Sequence, residues 1–190
     1  MKAFIITLKN NSNALRQLDN CQRTAKQWAW DVEVFWAIDG KFLSPSDFQK
    51  ENLSLNPNTK IYRRPGAQGC FMSHWELWKH CVKINQPIII LESDAHIIGK
   101  LPSIDFSEGL VKLHEDKDTK YSDVTGKWSK GAHAYALTPD HANLLISGTR
   151  ATEVKPADKA IGSNFVSWRY LNTPIVTLKK LGASTTSKVK

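Results

Sequence analysis

The residues most able to do chemistry stand at the end of one apolar run. Ile88-Ile89-Ile90-Leu91 leads directly into Glu92, Ser93 and Asp94, with His96 two positions further on. An uninterrupted aliphatic run of this length reads as a strand buried on both faces, as in a covered parallel sheet. Side chains alternate along a strand, which would send Glu92, Asp94 and His96 to one side. In open α/β sheets, ligands bind just past the carboxyl ends of the strands. Hard carboxylate oxygens suit Mn2+ or Mg2+, so acids in this position could hold a divalent cation beside a phosphorylated ligand. The same acids also fit helix caps or a solvated loop, and His96 also fits a surface or packing histidine.

The elements that must position these acids can be read on either side of the run. Lys2 to Leu8 reads as a first strand, followed by a polar turn. A helix should run from Ala14 to about Gln27, with Leu15, Leu18 and Cys21 at helical spacing and Asn11, Ser12 or Asn13 as cap. Val32 to Ile38 reads as a second strand ending at Asp39-Gly40. A strand–helix–strand opening of this kind starts a nucleotide-binding α/β sheet. No GxGxxG or P-loop follows the first strand, which argues against dinucleotide binding and P-loop chemistry.

Phe42 to Arg64 is expected to be irregular with one helical turn, and Pro65-Gly66-Ala67-Gln68-Gly69 to be a turn cluster. The next helix would begin near Gly69 or at Ser73, where Ser73 and Glu76 have capping-box spacing. Trp75, Trp78 and Val82 would share one of its faces. Strands are expected at Gly109–Leu113, Ala132–Thr138 and Thr173–Leu178. Helices should start at Thr138-Pro139 and at Pro156, the latter running to about Phe165.

The chain has 190 residues, of which 41% are hydrophobic, enough for one domain with a sizeable core. Residues 1–181 read as that domain, and the Ser-, Thr- and Lys-rich remainder from 182 as a basic, mobile tail. The net charge of +8 would favour nucleic acid, an anionic membrane or an anionic small ligand. Basic residues are spread out except at Arg63-Arg64 and from Lys179 to Lys190, and no RNA-binding or helix-turn-helix signature accompanies them. Nucleic acid is therefore not an expected partner. Cys21, Cys70 and Cys81 are odd in number and lack zinc-site spacing, so they read as reduced, buried thiols. With no signal-peptide pattern and no apolar run long enough to span a bilayer, a cytoplasmic location is expected. The basic tail would allow peripheral contact with the inner face of an anionic membrane.

Several blocks together resemble glycosyltransferase family 25, the lipooligosaccharide and procollagen galactosyltransferase type. Pro65 to Trp78, with Gly69-Cys70 and Ser73-His74, is similar to the family's GEIGCxLSHxxxW block. Ile88 to Ala95 resembles its ILEDDA block, Gly131 to Thr138 its GxxAYxLS block and Pro156-Ala157-Asp158 its PxD block. Ile5-Ile6-Thr7-Leu8 and Ala37-Ile38-Asp39-Gly40 also fit, and all the blocks keep the family's order. Two departures stand out. Ser93 replaces the middle acid, and the chain is shorter than typical members. These motivate an alternative reading, a relative that binds a nucleotide sugar or a glycan without transferring it.

The resemblance implies a single-domain α/β fold of the GT-A type, with a mostly parallel central sheet flanked by helices. It implies transfer of galactose or glucose from a UDP-sugar to a saccharide or lipid-linked saccharide, metal-assisted and inverting, as in lipopolysaccharide biosynthesis. Asp94 and Glu92 are then the candidate ligands for Mn2+ or Mg2+. Asp158 is the candidate base, with Glu92 as a second catalytic carboxylate; an acid at a helix start also needs no function. Thr7, Leu8, Asp39, Arg16 and Ser93 are candidate contacts to the nucleotide sugar, although Asp39 equally fits a turn-former and Arg16 a solvated helix residue. His74 reads either as a core histidine or as a substrate contact. Trp128 would stack on a sugar face, with most other tryptophans in the core.

Overall fold

Alternation along two neighbouring strands explains the architecture. In the computed structural model, which describes residues 1–115, 131–162 and 165–178, β1 (Lys2–Thr7) and β3 (Ile88–Glu92) lie side by side and parallel. Ile88 and Ile90 pack with Phe4, Ile6, Phe71, Trp75 and Trp78 on one face. Ile89 and Leu91 pack with Ala3, Ile5, Leu18 and Cys21 on the other. The four aliphatic residues of β3 are wholly buried, and each contributes about 1.5–3 kcal/mol of apolar burial. A strand covered on both faces has no polar side, and its sequence shows none until Glu92.

Helix α1 (Ser12–Gln27) covers the second face and is capped by Asn11, whose side chain accepts from the Ala14 N–H at 2.9 Å. After it come β2 (Val32–Trp36), a 3-10 turn at Gly40–Phe42, α2 (Pro45–Lys50) and the long α3 (Pro65–Ile84) over the first face. Beyond β3 follow β4 (Ala95–Ile97), β5 (Leu110–Lys112), β6 (Ala134–Leu137), α4 (Pro139–Arg150), α5 (Ala157–Ile161), β7 (Trp168–Tyr170) and β8 (Val176–Leu178). The main sheet has the order β2-β1-β3-β6-β5-β7. β1 is parallel to β2 and β3, β5 is parallel to β7, and β6 is antiparallel to both neighbours. β4 and β8 form a separate antiparallel ribbon. The result is a mixed α/β fold with a mostly parallel central sheet between helices.

Two expectations need correction. Helix α3 starts at Pro65, not at Gly69 or Ser73, with proline in its first turn. Ser73 is no cap: its hydroxyl donates to the Gly69 carbonyl at 2.7 Å and accepts from the Ile38 N–H at 2.9 Å, tying α3 to the end of β2. The short helical turn expected within Phe42 to Arg64 is α2, closed by a Ser44–Asp47 capping box. Trp30, Trp75 and Trp78 are core residues, whereas Trp36 is exposed. Trp128 and the tail from 182 lie outside the described residues.

Gly69 and Gly40 are where α3 presses on the β2 end. A Cβ at Gly69 would run into the Ile38 carbonyl and the Gly40 backbone, and one at Gly40 into the Pro65 carbonyl. An unhindered helical Gly→Ala change gains about 0.5–1 kcal/mol. Here overpacking reverses the sign, and Gly69→Ala should cost about 1–3 kcal/mol. Denaturant or thermal melts measure this, and a raised melting temperature for Gly69→Ala would contradict the packing.

Candidate functional site

Glu92 is the last residue of β3, in register with Ile6 at the carboxyl end of β1. Between these two strands the connections diverge to opposite sides, which makes this the switch point of the sheet. Alternation turns Glu92 toward α3. Its Oε1 lies 3.6 Å from His74 Nε2 and 3.8 Å from Cys70 Sγ. Its Oε2 lies 3.4 Å from His133 Nδ1, and Asp94 Oδ1 is 4.0 Å from the same nitrogen. His133 reaches this place because β6 runs antiparallel to β3, the Glu92 N–H donating to the His133 carbonyl at 2.8 Å.

The surroundings fix both histidine rings. His74 is fully buried, and its Nδ1 shares a 2.8 Å hydrogen bond with the Tyr135 hydroxyl, which also accepts from the Trp78 indole at 2.9 Å. That leaves Nε2 facing Glu92. His133 packs edge-on against His114 at 5.6 Å. Gly131 has φ +89, and a Cβ there would lie 2.6 Å from the His133 ring. Only glycine allows this loop and this ring together. The buried Lys112 holds the loop by donating to the Gly131 carbonyl at 3.2 Å.

Charge follows from this geometry. Burial alone would push the Glu92 carboxyl up, but the imidazoles of His133 and His74 beside it outweigh that and hold Glu92 well below the usual carboxylate range. Burial likewise works against a charged His133, yet Glu92 and then Asp94 raise its pKa. His114 is pushed down to about 4, chiefly by burial, and is neutral. Burial and then the charges of Glu92, Asp158 and Asp94 push the Cys70 thiol far up.

Glu92 and Asp94 are thus brought together at His133, while Asp158 lies in the first turn of α5 and accepts from the Lys159 N–H at 3.0 Å. The other sequence-predicted residues are engaged as follows. Thr7 donates to the Ala14 carbonyl at 3.3 Å, and Leu8 is half-buried just past β1. Asp39 caps the 3-10 turn through the Lys41 N–H at 3.0 Å. Arg16 is exposed and bonded to Asn13 in the same turn. Ser93 donates to Gln17 of α1 at 3.3 Å, on the opposite side of the strand from Glu92. His96 does not follow the acids. A turn at Ser93-Asp94 breaks the alternation, and on β4 its Nδ1 pairs with Asn20 of α1 at 3.1 Å.

His133 and Cys70 were not expected at the site. Both stood within recognisable blocks, but no local signal shows that β6 pairs antiparallel with β3. The three cysteines are free, as expected, with Cys21 and Cys81 buried and Cys70 half-buried. Among the described residues no helix is long and apolar enough to cross a membrane.

Two residues can hold this cluster to a pH window. Glu92 is depressed below its ordinary 4.5, so its contribution is present above 4.5 and is lost as pH falls toward its folded value. His133 is raised above 6.5, so its contribution is present below 6.5 and is lost as pH rises through the folded value. The melting-temperature difference between wild type and Glu92→Gln should therefore be greatest between 4.5 and 6.5. A difference that is flat with pH, or greatest near pH 8, would contradict the pairing.

The model for glycosyltransferase family 25 (LPS biosynthesis protein) matches residues 1–123. Mouse procollagen galactosyltransferase 2 is 26% identical over 167 residues, which cover 83% of this chain and 22% of the relative. A glycosyltransferase 25 family member from Anopheles gambiae is 29% identical over 157 residues, 68% of this chain and 26% of that one. The chain thus spans about a quarter of the length of the curated relatives it matches. In fold it is similar to the galactosyltransferase LgtC, solved with donor and acceptor sugar analogues, at a TM-score of 0.51 and 10% identity over 90% of this chain and 73% of that one. The sheet is thus of the GT-A type. With the acid pair at its switch point and a family model matching 123 of its 190 residues, the chain belongs to glycosyltransferase family 25.

Proposed function

We propose that this chain transfers a hexose, galactose or glucose, from a UDP-sugar to a saccharide acceptor, assisted by a divalent cation. The observation that carries the reading is the convergence of Glu92, Asp94 and His133 at the carboxyl end of β3 in a family 25 chain. The similarity to procollagen galactosyltransferases supports a galactosyl donor. Such an acid cluster fits a hard cation: two carboxylates and one imidazole offer atoms within 4.8 Å of one another, and His133 Nδ1 is buried with no hydrogen bond of its own. Asp94 and Glu92 would hold Mn2+ or Mg2+, with His133 as a third donor. An ion held there would neutralise diphosphate charge as the bond to the anomeric carbon breaks.

The chain's own groups divide the remaining work. Glu92 is held too acidic to be an effective base. Proton removal from the acceptor hydroxyl therefore falls to Asp158. Its carboxylate takes the proton as the acceptor oxygen forms the new bond to the anomeric carbon. UDP leaves from the opposite face with the electron pair of the broken bond, and the configuration inverts. Asp39, Leu8 and Arg16 are proposed contacts to the nucleotide. The hydroxyls of Thr7 and Ser93 already donate within the protein, so those two residues would act through shape and main chain.

The orientation of Ser93 favours this reading over a binder without transfer. A side chain directed at Gln17 leaves the acid pair on the other side of the strand untouched by the loss of the middle carboxylate. A lipid-linked acceptor, docking through the basic tail at an anionic membrane and a cytoplasmic location belong to the same proposal and rest on charge and cysteine usage alone.

Mn2+ and UDP together should raise the melting temperature, and Asp94→Ala should remove the metal-dependent part. Equal stabilisation of both proteins would contradict the metal assignment. Asp158→Asn should keep that stabilisation and lower transfer by about 10²–10⁴-fold. Unchanged turnover in Asp158→Asn, assayed with a panel of UDP-sugars, would remove it as the base.

A further inference from the structure

Behind the acid pair lies a second pocket of different chemistry. Cys70 and His74 stand one helical turn apart on α3 and face the same carboxylate oxygen, Glu92 Oε1, at 3.8 and 3.6 Å. The three ligand atoms lie within 4.8 Å of one another. His74 Nε2 is buried, aimed into this pocket, and makes no hydrogen bond within the protein. We propose that Cys70, His74 and Glu92 form a binding site for a thiophilic divalent cation, Zn2+ above all, distinct from the hard-cation cluster of Glu92, Asp94 and His133.

The spacing suits that ion. Tetrahedral zinc with its usual bond lengths separates a nitrogen and an oxygen ligand by about 3.3 Å and a sulfur and an oxygen ligand by about 3.6 Å. The observed separations exceed these by only a few tenths of an ångström. The donor set discriminates as well: a thiolate selects zinc over manganese or magnesium, whereas Asp94 and His133 offer no sulfur. Tyr135 supplies the partner that a ligating histidine needs, since Nδ1–H can donate to its oxygen while Nε2 binds the ion. Binding replaces the Cys70 S–H bond with a metal–sulfur bond, and the proton goes to solvent. Three protein ligands leave one position for water, as in open zinc sites.

Glu92 offers Oε1 to this pocket and Oε2 to His133, so the two sites meet at one carboxylate. The inner site stands without the glycosyltransferase reading, because it needs no nucleotide and neither Asp94 nor His133.

Co2+ alone, added to the full chain, tests the site by spectroscopy. The inner pocket should give thiolate-to-cobalt charge-transfer absorption with tetrahedral visible bands, displaced by Zn2+. Cys70→Ser, close to isosteric, should lose the charge-transfer band, while Cys21→Ser and Cys81→Ser keep it. His74→Gln should weaken Zn2+ binding by at least about 100-fold, since even supporting partners of metal ligands are worth 10–100-fold. Asp94→Ala should retain the band, although it loses the stabilisation by Mn2+ and UDP. Absence of any thiolate band at Co2+ saturation, its persistence in Cys70→Ser, or its loss in Asp94→Ala would overturn the inner site. None of those results bears on whether wild type is stabilised by Mn2+ with UDP, so the two readings fail separately.

Discussion

The hydrogen bond from the Glu92 N–H to the His133 carbonyl, 2.8 Å long, joins the last residue of β3 to the residue just before β6. Everything proposed for the site depends on that antiparallel pairing. Without it Glu92 and Asp94 are two acids at a strand end. With it, a histidine 41 positions after Glu92 and 39 after Asp94 is held against both, and Tyr135, two residues on, reaches back to orient His74. The pairing is firm because β3 is fully buried on both faces and because Ala134 and Ala136, opposite Leu91 and Ile89, are small and buried too. Slippage by one residue would turn His133 away from the acids and send Tyr135 to the opposite face of the sheet, away from His74 and Trp78.

The same constraint sets the electrostatics. A half-buried carboxylate is unfavourable unless charge and hydrogen bonds surround it. Glu92 has His133 on one oxygen and His74 with Cys70 on the other. Those partners keep it ionised, and that ionised state suits a group that holds cations better than one that accepts protons. His114, kept neutral by burial, packs on His133 without competing for the acids. In the proposed mechanism the acids divide the labour: Glu92 carries charge at the sheet, and Asp158, in the first turn of α5, takes the proton.

Much of the fold was legible because its signals are local. The aliphatic run of β3, the spacing of Leu15, Leu18 and Cys21, and the Thr138-Pro139 helix start each express a periodicity or a cap. The beginning of α3 was not, because Pro65-Gly66 and Gly69 read as turn residues. Their actual use is close approach: Gly69 lets the helix touch the Ile38 carbonyl, and Pro65 opens the first turn. β4 and β7 have three residues each and exist only through their partners β8 and β5, so no propensity could announce them. In the site, the acid pair could be read from the strand end, but His133 could not, since its position depends on a long-range pairing. His96 misled because alternation was carried through a turn that ends it.

The central claim is that Glu92, Asp94 and His133 form the cation site of a nucleotide-sugar transferase. Anomalous scattering at the manganese absorption edge, from crystals grown with Mn2+ and UDP, tests it most directly. The account predicts a manganese peak within bonding distance of the Asp94 and Glu92 carboxylates, with the UDP diphosphate completing its shell. Manganese bound with UDP elsewhere on the sheet, away from these carboxylates, would contradict it.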